Sequence, residues 1–347
     1  MPFYPSINEK TPEGKRTAER LLKLRSKLSG EIPARSMGDT LLLATWNLRE
    51  FGNTRAGGRE AEPLFYIAEI ISRFDLVAVQ EVRDDLVALR ALLRILGSHW
   101  DYVATDYKEK GGGNYERLAF LFDTRKVNFT GIAGEIVLEP SPDMPEPQQF
   151  ARTPFMLSFQ AGWFKFNLCT VHLYYGTGAE GMKRRVKEIG AISDFMYRRY
   201  QRDAKVALKS GQAAAEFILL GDFNIVSHSD ATMRALQDGG FQIPKALQSV
   251  PGSNVEGNKY YDQIAFRKDS DLLKLEKAGV FNYYGTVYKD SDEAIYAPQM
   301  GAAYTDAAKP AQYYRTNWRT FKMSDHYPMW VELKIDFSDA YLKKKAG

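Results

Sequence analysis

The chain is expected to fold as an α/β protein in which mixed, largely antiparallel sheets are covered by helices. Three observations lead there. From Thr40 onward, short apolar runs of strand length alternate with amphipathic stretches of helical period. Several of those runs are joined by turns too short to hold a crossover helix, which argues against a purely parallel, doubly wound sheet. The 347 residues are 44% hydrophobic and 26% charged, ample material for one large core.

Residues 1–38 read as an extension. Thr11-Pro12-Glu13 has the form of a helix start, with threonine as the cap and proline in the first turn. Leu21, Leu22, Leu24 and Leu28 then make an apolar stripe among Lys15, Arg16, Arg20, Lys23, Arg25 and Lys27. Such a basic amphipathic helix can touch phosphate or a membrane, but is expected to pack its leucines and solvate its charges. Residues 39–340 show neither an internal repeat nor a break in composition and are read as one domain.

Within that domain, Leu41 to Trp46 is a buried strand, Glu62 to Arg73 a helix and Asp75 to Gln80 a second strand. Asp85 to Leu96 is helical. Leu118–Phe122 and Lys126 to Leu138 are strands divided by a turn at Asp123-Thr124, and Phe155–Phe159 and Trp163–Val171 continue the series. Met182 to Tyr200 is a long helix carrying Val186, Ile189, Phe195 and Met196 on one side. Strands return at Phe217–Leu220, Gln263–Phe266 and Met329–Ile335. Two stretches look like loops. Glu139 to Gln149 is proline-rich and acidic. Phe281 to Arg319 carries Tyr283, Tyr284, Tyr288, Tyr296, Tyr304, Tyr313, Tyr314 and Trp318, rings that either fold the loop onto itself or stack on a ligand.

Composition bounds the rest. The net charge of +4 is small for this length and does not by itself announce a polyanionic partner. Cys169 is the single cysteine, so no internal disulfide forms, and its apolar surroundings mark it as a buried, inert thiol. Met1 to Pro5 lacks the basic-then-apolar pattern of a signal peptide, and no run has the length of a membrane span. A soluble, cytoplasmic protein is the expectation.

The chemistry lies at strand boundaries. Asn47 ends the first strand and Glu81 the second. His172 follows the strand at 168–171, Asp222 and Asn224 follow Phe217–Leu220, Asp262 opens the next strand, and Asp325-His326 precedes the last. In antiparallel neighbours one strand's end meets the other's start, so all of these can line one rim. Any one alone is a common turn former or cap. Together they form a hard-oxygen donor set suited to Mg²⁺, Mn²⁺ or Ca²⁺ and not to zinc, beside two of the chain's four histidines. His99 and His228 have no such neighbours and are read as structural.

The segments Trp46-Asn47-Leu48-Arg49, Gln80-Glu81-Val82-Arg83, Gly221-Asp222-Phe223-Asn224, Tyr261-Asp262-Gln263-Ile264 and Ser324-Asp325-His326-Tyr327-Pro328 resemble, in that order, the motifs of the endonuclease/exonuclease/phosphatase superfamily. Within it the chain looks most like deoxyribonuclease I, on Asn47 to Gly52, Arg83, Glu116-Arg117 and Arg152. The resemblance implies two packed sheets in a four-layer α/β/β/α sandwich. It also implies an in-line attack by water on a phosphodiester of DNA, with little sequence preference. Glu81, assisted by Asn47 and Asp325, would bind Mg²⁺ (or Mn²⁺ or Ca²⁺). His172, oriented by Glu116, and His326, oriented by Asp262, would divide the proton transfers. Asp222 and Asn224 would hold the water and the phosphate, and Arg49, Arg83 and Arg152 the substrate backbone, with Lys183-Arg184-Arg185 as further candidates. Four features depart from deoxyribonuclease I: the missing disulfides, Gln263 where arginine is usual, Leu173-Tyr174-Tyr175-Gly176 after His172, and the tyrosine-rich stretch 281–319. The alternative within the superfamily is a phosphomonoesterase or a lipid phosphodiesterase acting on inositol phosphates or sphingomyelin.

Overall fold

A computed structural model describes residues 1–52, 59–107, 114–142, 149–211, 213–270 and 273–346. In chain order the strands are β1 (Thr40–Phe51), β2 (Leu76–Arg83), β3 (Trp100–Ala104), β4 (Glu116–Asp123), β5 (Asn128–Glu135), β6 (Phe155–Ala161), β7 (Phe164–His172), β8 (Glu216–Asp222), β9 (Phe241–Gln242), β10 (Asp262–Arg267), β11 (Leu275–Val280) and β12 (Met329–Lys334). The principal helices are α1 (Pro12–Glu31), α2 (Ala61–Ile71), α3 (Val87–Leu96), α4 (Gly178–Lys209) and α5 (Ala231–Asp238).

The strands form two six-stranded sheets, ordered β11-β12-β1-β2-β4-β3 and β5-β6-β7-β8-β10-β9. Each has one parallel pair at its centre, β1 with β2 and β7 with β8, and antiparallel pairing elsewhere. The helix of each central βαβ unit, α2 or α4, covers the outer face of its own sheet. Alternation along β1 shows the layering. Leu41 and Leu43 point into the core between the sheets, with Phe120, Leu157, Phe159 and Leu168. Leu42, Ala44 and Trp46 point the other way, into a second core shared with α1, α2 and α3. The molecule is thus a four-layer α/β/β/α sandwich.

Helix α1 starts as its sequence implies, with the Thr11 hydroxyl accepting from the Gly14 amide at 3.1 Å and Pro12 in the first turn. Leu21, Leu24 and Leu28 are buried in the second core, while Leu22 faces solvent at 66% exposure. Spacings of three and four residues keep the first three on one face, and Leu22 falls off it. At the rim far from the motif residues, Arg35 bridges Asp75 and Asp123, each at 2.6 Å, and Lys126 Nζ reaches Asp75 at 2.5 Å.

Several elements differ from the sequence expectation. β3 and β11 are edge strands of WDYVA and LEKAGV, whose polar or small residues hide the period-two signal. The stretch from Phe281 to Arg319 is not an open loop. It contains the helical turns Glu293–Met300, Ala302–Thr305 and Pro310–Tyr313 and the π turn Tyr314–Trp318. Tyr283, Tyr284, Tyr288, Tyr296 and Tyr314 are buried against α1, α2 and β1, so these rings fill core instead of awaiting a ligand. Much of the acidic stretch from Glu139 to Gln149, residues 143–148, lies outside the described residues. Cys169 is buried, on the face of β7 opposite Leu168, and burial pushes its thiol upward. Among the described residues no helix is long and apolar enough to cross a membrane.

Candidate active site

The central parallel pairs explain why the motif residues meet. β1, β2, β7 and β8 all finish at one rim, and their antiparallel neighbours β4, β10 and β12 start there. That rim walls a cleft of about 1020 Å³ whose lining includes Glu81, Glu116, Arg152, His172, Asp222, Asn224, Asp325 and His326. Asn47 and Glu81 do not end their strands. β1 runs on to Phe51 and β2 to Arg83, each through a break in register. Glu81 takes a positive φ of 62°, and Arg49 and Glu50 take 22° and 47°. Side-chain-bearing residues rarely adopt this region, and Glu50 and Glu81 both line the cleft.

Asp222 is the hub. The Asn47 amide nitrogen donates to its Oδ2 at 3.0 Å, and the Asn224 backbone amide donates to Oδ1 at 2.9 Å. The Nε2 atoms of His172 and His326 stand 3.6 and 3.8 Å from the same Oδ2. Burial would push the Asp222 carboxyl up, but His326, His172 and the Asn224 amide together bring it below its ordinary value. Asn224 also donates its side-chain amide to the Leu173 carbonyl at 2.9 Å, which fixes the chain just beyond His172.

Each histidine has its own carboxylate. His326 Nδ1 lies 2.6 Å from Asp262 Oδ2, with both side chains buried. Burial disfavours the imidazolium, yet the carboxylates of Asp262, Asp222 and Asp325 outweigh it and raise His326 well above its usual value. His172 Nδ1 is 3.1 Å from Glu116 Oε2, at ion-pair distance but off the line of a good hydrogen bond. Arg152 Nε donates to the same Glu116 oxygen at 2.6 Å. Burial raises the Glu116 carboxyl, but His172 and then Arg152 outweigh it and bring it down to about 2.

On the opposite wall, Glu81 accepts from the Asn47 side-chain amide at 2.8 Å and from the Glu50 backbone at 2.8 Å. Burial, and after it the nearby Glu116 carboxylate, push Glu81 upward, and Asp325 adds to the push. A cation would relieve that repulsion. Glu81 and the half-exposed Asp325 supply the hard oxygen donors such a cation prefers. Asn47 turns its nitrogen, not its oxygen, toward the carboxylates, while its oxygen accepts from the Arg49 backbone at 3.0 Å. It therefore orients Glu81 and Asp222.

The three arginines expected at the substrate are placed differently. Arg49 lies over the Phe321 ring at 3.9 Å, donates to the Thr316 carbonyl and the Thr320 hydroxyl, and stands 3.7 Å from Asp325. Arg83 pairs with Glu50 at 2.8 Å and reaches the Asn114 carbonyl. Arg152 is buried behind Glu116, with 9% of its side chain exposed. In the 183–185 run, Lys183 is solvated beside Glu180, Arg184 lies over the Tyr174 ring at 4.1 Å, and Arg185 is buried against the Gly176 carbonyl. His228 sits 4.0 Å from the Tyr260 ring, and among the described residues its Nε2 has no hydrogen-bond partner.

Sequence reading quoted Ser324 in the closing motif but missed Tyr283 and Arg59, which help hold that segment. Ser324 Oγ donates to the Asn47 carbonyl at 2.6 Å, and Tyr283 donates to the carbonyls of Ser324 and His326 at 2.9 and 2.8 Å. Arg59 gathers the carbonyls of Leu48, Arg49 and Met323 at 2.5, 2.6 and 2.7 Å. Burial lowers its guanidinium to about 10. Tyr283 and Arg59 lie far in sequence from the closing segment, 41 and 264 residues from their Ser324 and Met323 partners, so no local pattern marks them.

This architecture and its two histidine–carboxylate pairs define a class. The sequence profile of the Endonuclease/Exonuclease/phosphatase family matches residues 44–326, and the chain belongs to that family, whose members are hydrolases acting on phosphate esters. Its particular likeness is to deoxyribonucleases. It is 34% identical to deoxyribonuclease-1 of Canis lupus familiaris over 337 residues, covering 92% of this chain and 99% of that one. It is 28% identical to a deoxyribonuclease of Thioalkalivibrio sp. (strain K90mix) over 311 residues, covering 86% and 72%. Among solved structures, an endonuclease/exonuclease/phosphatase family protein from Bacteroides thetaiotaomicron superposes with a TM-score of 0.55 at 20% identity, covering 87% and 98%, a likeness of fold.

Proposed function

We propose that this protein is a divalent-metal-dependent endonuclease that hydrolyses DNA phosphodiesters with little sequence preference, by in-line attack of water. The observation that carries the reading is the convergence of both imidazoles and the Asn47 amide on Asp222 Oδ2. It leaves a polar, acid-lined cleft with two imidazoles, each beside its own carboxylate. The likeness to proteins named deoxyribonuclease supports DNA as the substrate. So does the retention of Arg83 and Glu116 in the forms resembling deoxyribonuclease I.

Glu81 and Asp325 hold the cation, Mg²⁺ in the first instance, and Asn47 fixes the Glu81 carboxylate beside it. When bound, the ion supplies charge stabilisation at a phosphoryl oxygen. Asp222 and Asn224 hold the attacking water and the phosphate. One of His172 and His326 takes a proton from that water and the other supplies one to the leaving oxygen, each kept in its orientation by Glu116 or Asp262. Arg49 and Arg83 face the substrate backbone. Phosphate contacts of this kind position a duplex without reading its sequence. Arg152 acts through Glu116.

Supercoiled plasmid, a single-stranded oligonucleotide, a phosphomonoester and sphingomyelin, each incubated with Mg²⁺ or Mn²⁺ and with EDTA, test the reading. Plasmid nicking that EDTA abolishes, and that His326→Ala lowers by about 10²-fold or more, is expected. Nicking undiminished in His326→Ala, or turnover of the monoester alone, overturns it.

A further inference from the structure

Glu188 lies on α4, outside every motif, and is almost completely buried at 1% exposure. A carboxylate in that position is costly unless its oxygens are satisfied. Oε1 accepts from the Ala151 backbone amide at 3.1 Å and Oε2 from the Tyr174 backbone amide at 2.9 Å. Arg184 Nε reaches Oε1 at 3.1 Å. The two backbone amides belong to separate loops, and each lies close in sequence to a part of the active site. Ala151 precedes Arg152, which holds Glu116. Tyr174 stands two residues beyond His172, which Glu116 faces. The contacts therefore close a ring: Glu188, Ala151-Arg152, Glu116, His172, Tyr174 and back to Glu188.

We propose that Glu188 is a positioning residue for hydrolysis: from α4 it sets the spacing between Arg152 and His172, and so the alignment of Glu116 with the imidazole. The other proton carrier, His326 with Asp262, meets this ring at Asp222, whose Oδ2 lies 3.6 Å from His172 Nε2 and 3.8 Å from His326 Nε2. The geometry explains why a carboxylate is needed. Two backbone amides approach from different loops, one to each oxygen, and glutamine can accept through only one of its two terminal atoms. Its amide nitrogen would face one of those N–H groups donor to donor. The position of Glu188 on α4 matters as well. A long helix anchored in the core by Ile189, Ile192 and Met196 is a stiff mount for a clamp between two loops.

The proposal rests on the assignment of His172 to the reaction but not on the identity of the substrate. Its test is Glu188→Gln, with Glu188→Asp measured in parallel should the first variant not fold. Hydrogen-exchange mass spectrometry on peptides spanning 149–153 and 173–176 reads the clamp without any turnover. Protection of both segments is expected to fall in the variant. Steady-state kinetics, on whichever phosphate ester the wild type turns over, should show kcat lowered about tenfold or more with KM within twofold. In a Glu116→Gln background that loss should shrink to less than threefold, since both residues act through the same imidazole. Loss of protection with unchanged kcat, or an equal loss of kcat with and without Glu116, overturns the positioning role. If the wild type leaves DNA intact but hydrolyses another ester, the nuclease reading fails while this test still stands.

Discussion

Glu116→Gln isolates the electrostatics of the His172 arm. The carboxyl is held at about 2 in the folded protein against an ordinary value of 4.5, by His172 and Arg152 acting against burial. That depression corresponds to about 3 kcal/mol of folding stability at neutral pH. Because the folded value is the lower one, this contribution is present in full above the unfolded value and is lost as pH falls through the folded value. At pH 3, between the two, less than half of it remains. Glutamine matches the shape of the side chain but carries no charge to titrate. Urea unfolding of wild type and Glu116→Gln in EDTA, at pH 7 and at pH 3, gives the stability difference at each pH. That difference should shrink by about 2 kcal/mol on acidification. A difference of equal size at both pH values would refute the claim that the His172–Glu116–Arg152 array stabilises the carboxylate, whatever the activity of the variant.

Other outcomes follow from the same structure. Asp262→Asn keeps a hydrogen-bond acceptor beside His326 but removes the charge that supports the imidazolium, and kcat should fall by about 10²–10⁴-fold; a loss under tenfold would contradict the pairing seen at 2.6 Å. Gly221→Ala places a methyl 2.1 Å from the Val171 carbonyl at a φ of +130°, so β8 must separate from β7 beside His172 and Asp222, and thermal unfolding should show a loss of about 1–3 kcal/mol. Leu24→Ala empties a fully buried position between α1 and the helices over β1, with an expected loss of about 2–5 kcal/mol in one cooperative transition. An unchanged midpoint there would mean that α1 contributes nothing to the stability of the domain.

The parts legible in the sequence share a physical character. Trp46-Asn47, Gln80-Glu81, Gly221 to Asn224, Asp262 and Ser324 to His326 place costly polar groups against apolar strands, and such contrasts show in a linear reading. The antiparallel and parallel pairings that bring strand ends and starts to one rim follow from the lengths of the connections. Edge strands β3 and β11 were hidden because only one flank of each is paired and their side chains need not alternate. The tyrosines of the 281–319 stretch were ambiguous because a ring that fills a core and a ring that stacks on a ligand have the same composition. Arg152 reads as a phosphate contact in sequence, and only the structure shows that, while lining the cleft, it also donates to Glu116.

Read alone, the chain determined the family of its chemistry: which carboxylates, amides and imidazoles lie at strand boundaries, and the order in which they occur. Tertiary structure decided what those groups do to one another. The raised His326, the lowered Glu116 and the role of Asn47 as a donor to Glu81 and Asp222 depend on distances of a few ångströms between residues far apart in the chain. Charge interactions in a buried cleft vary steeply over such distances, and only folding sets them.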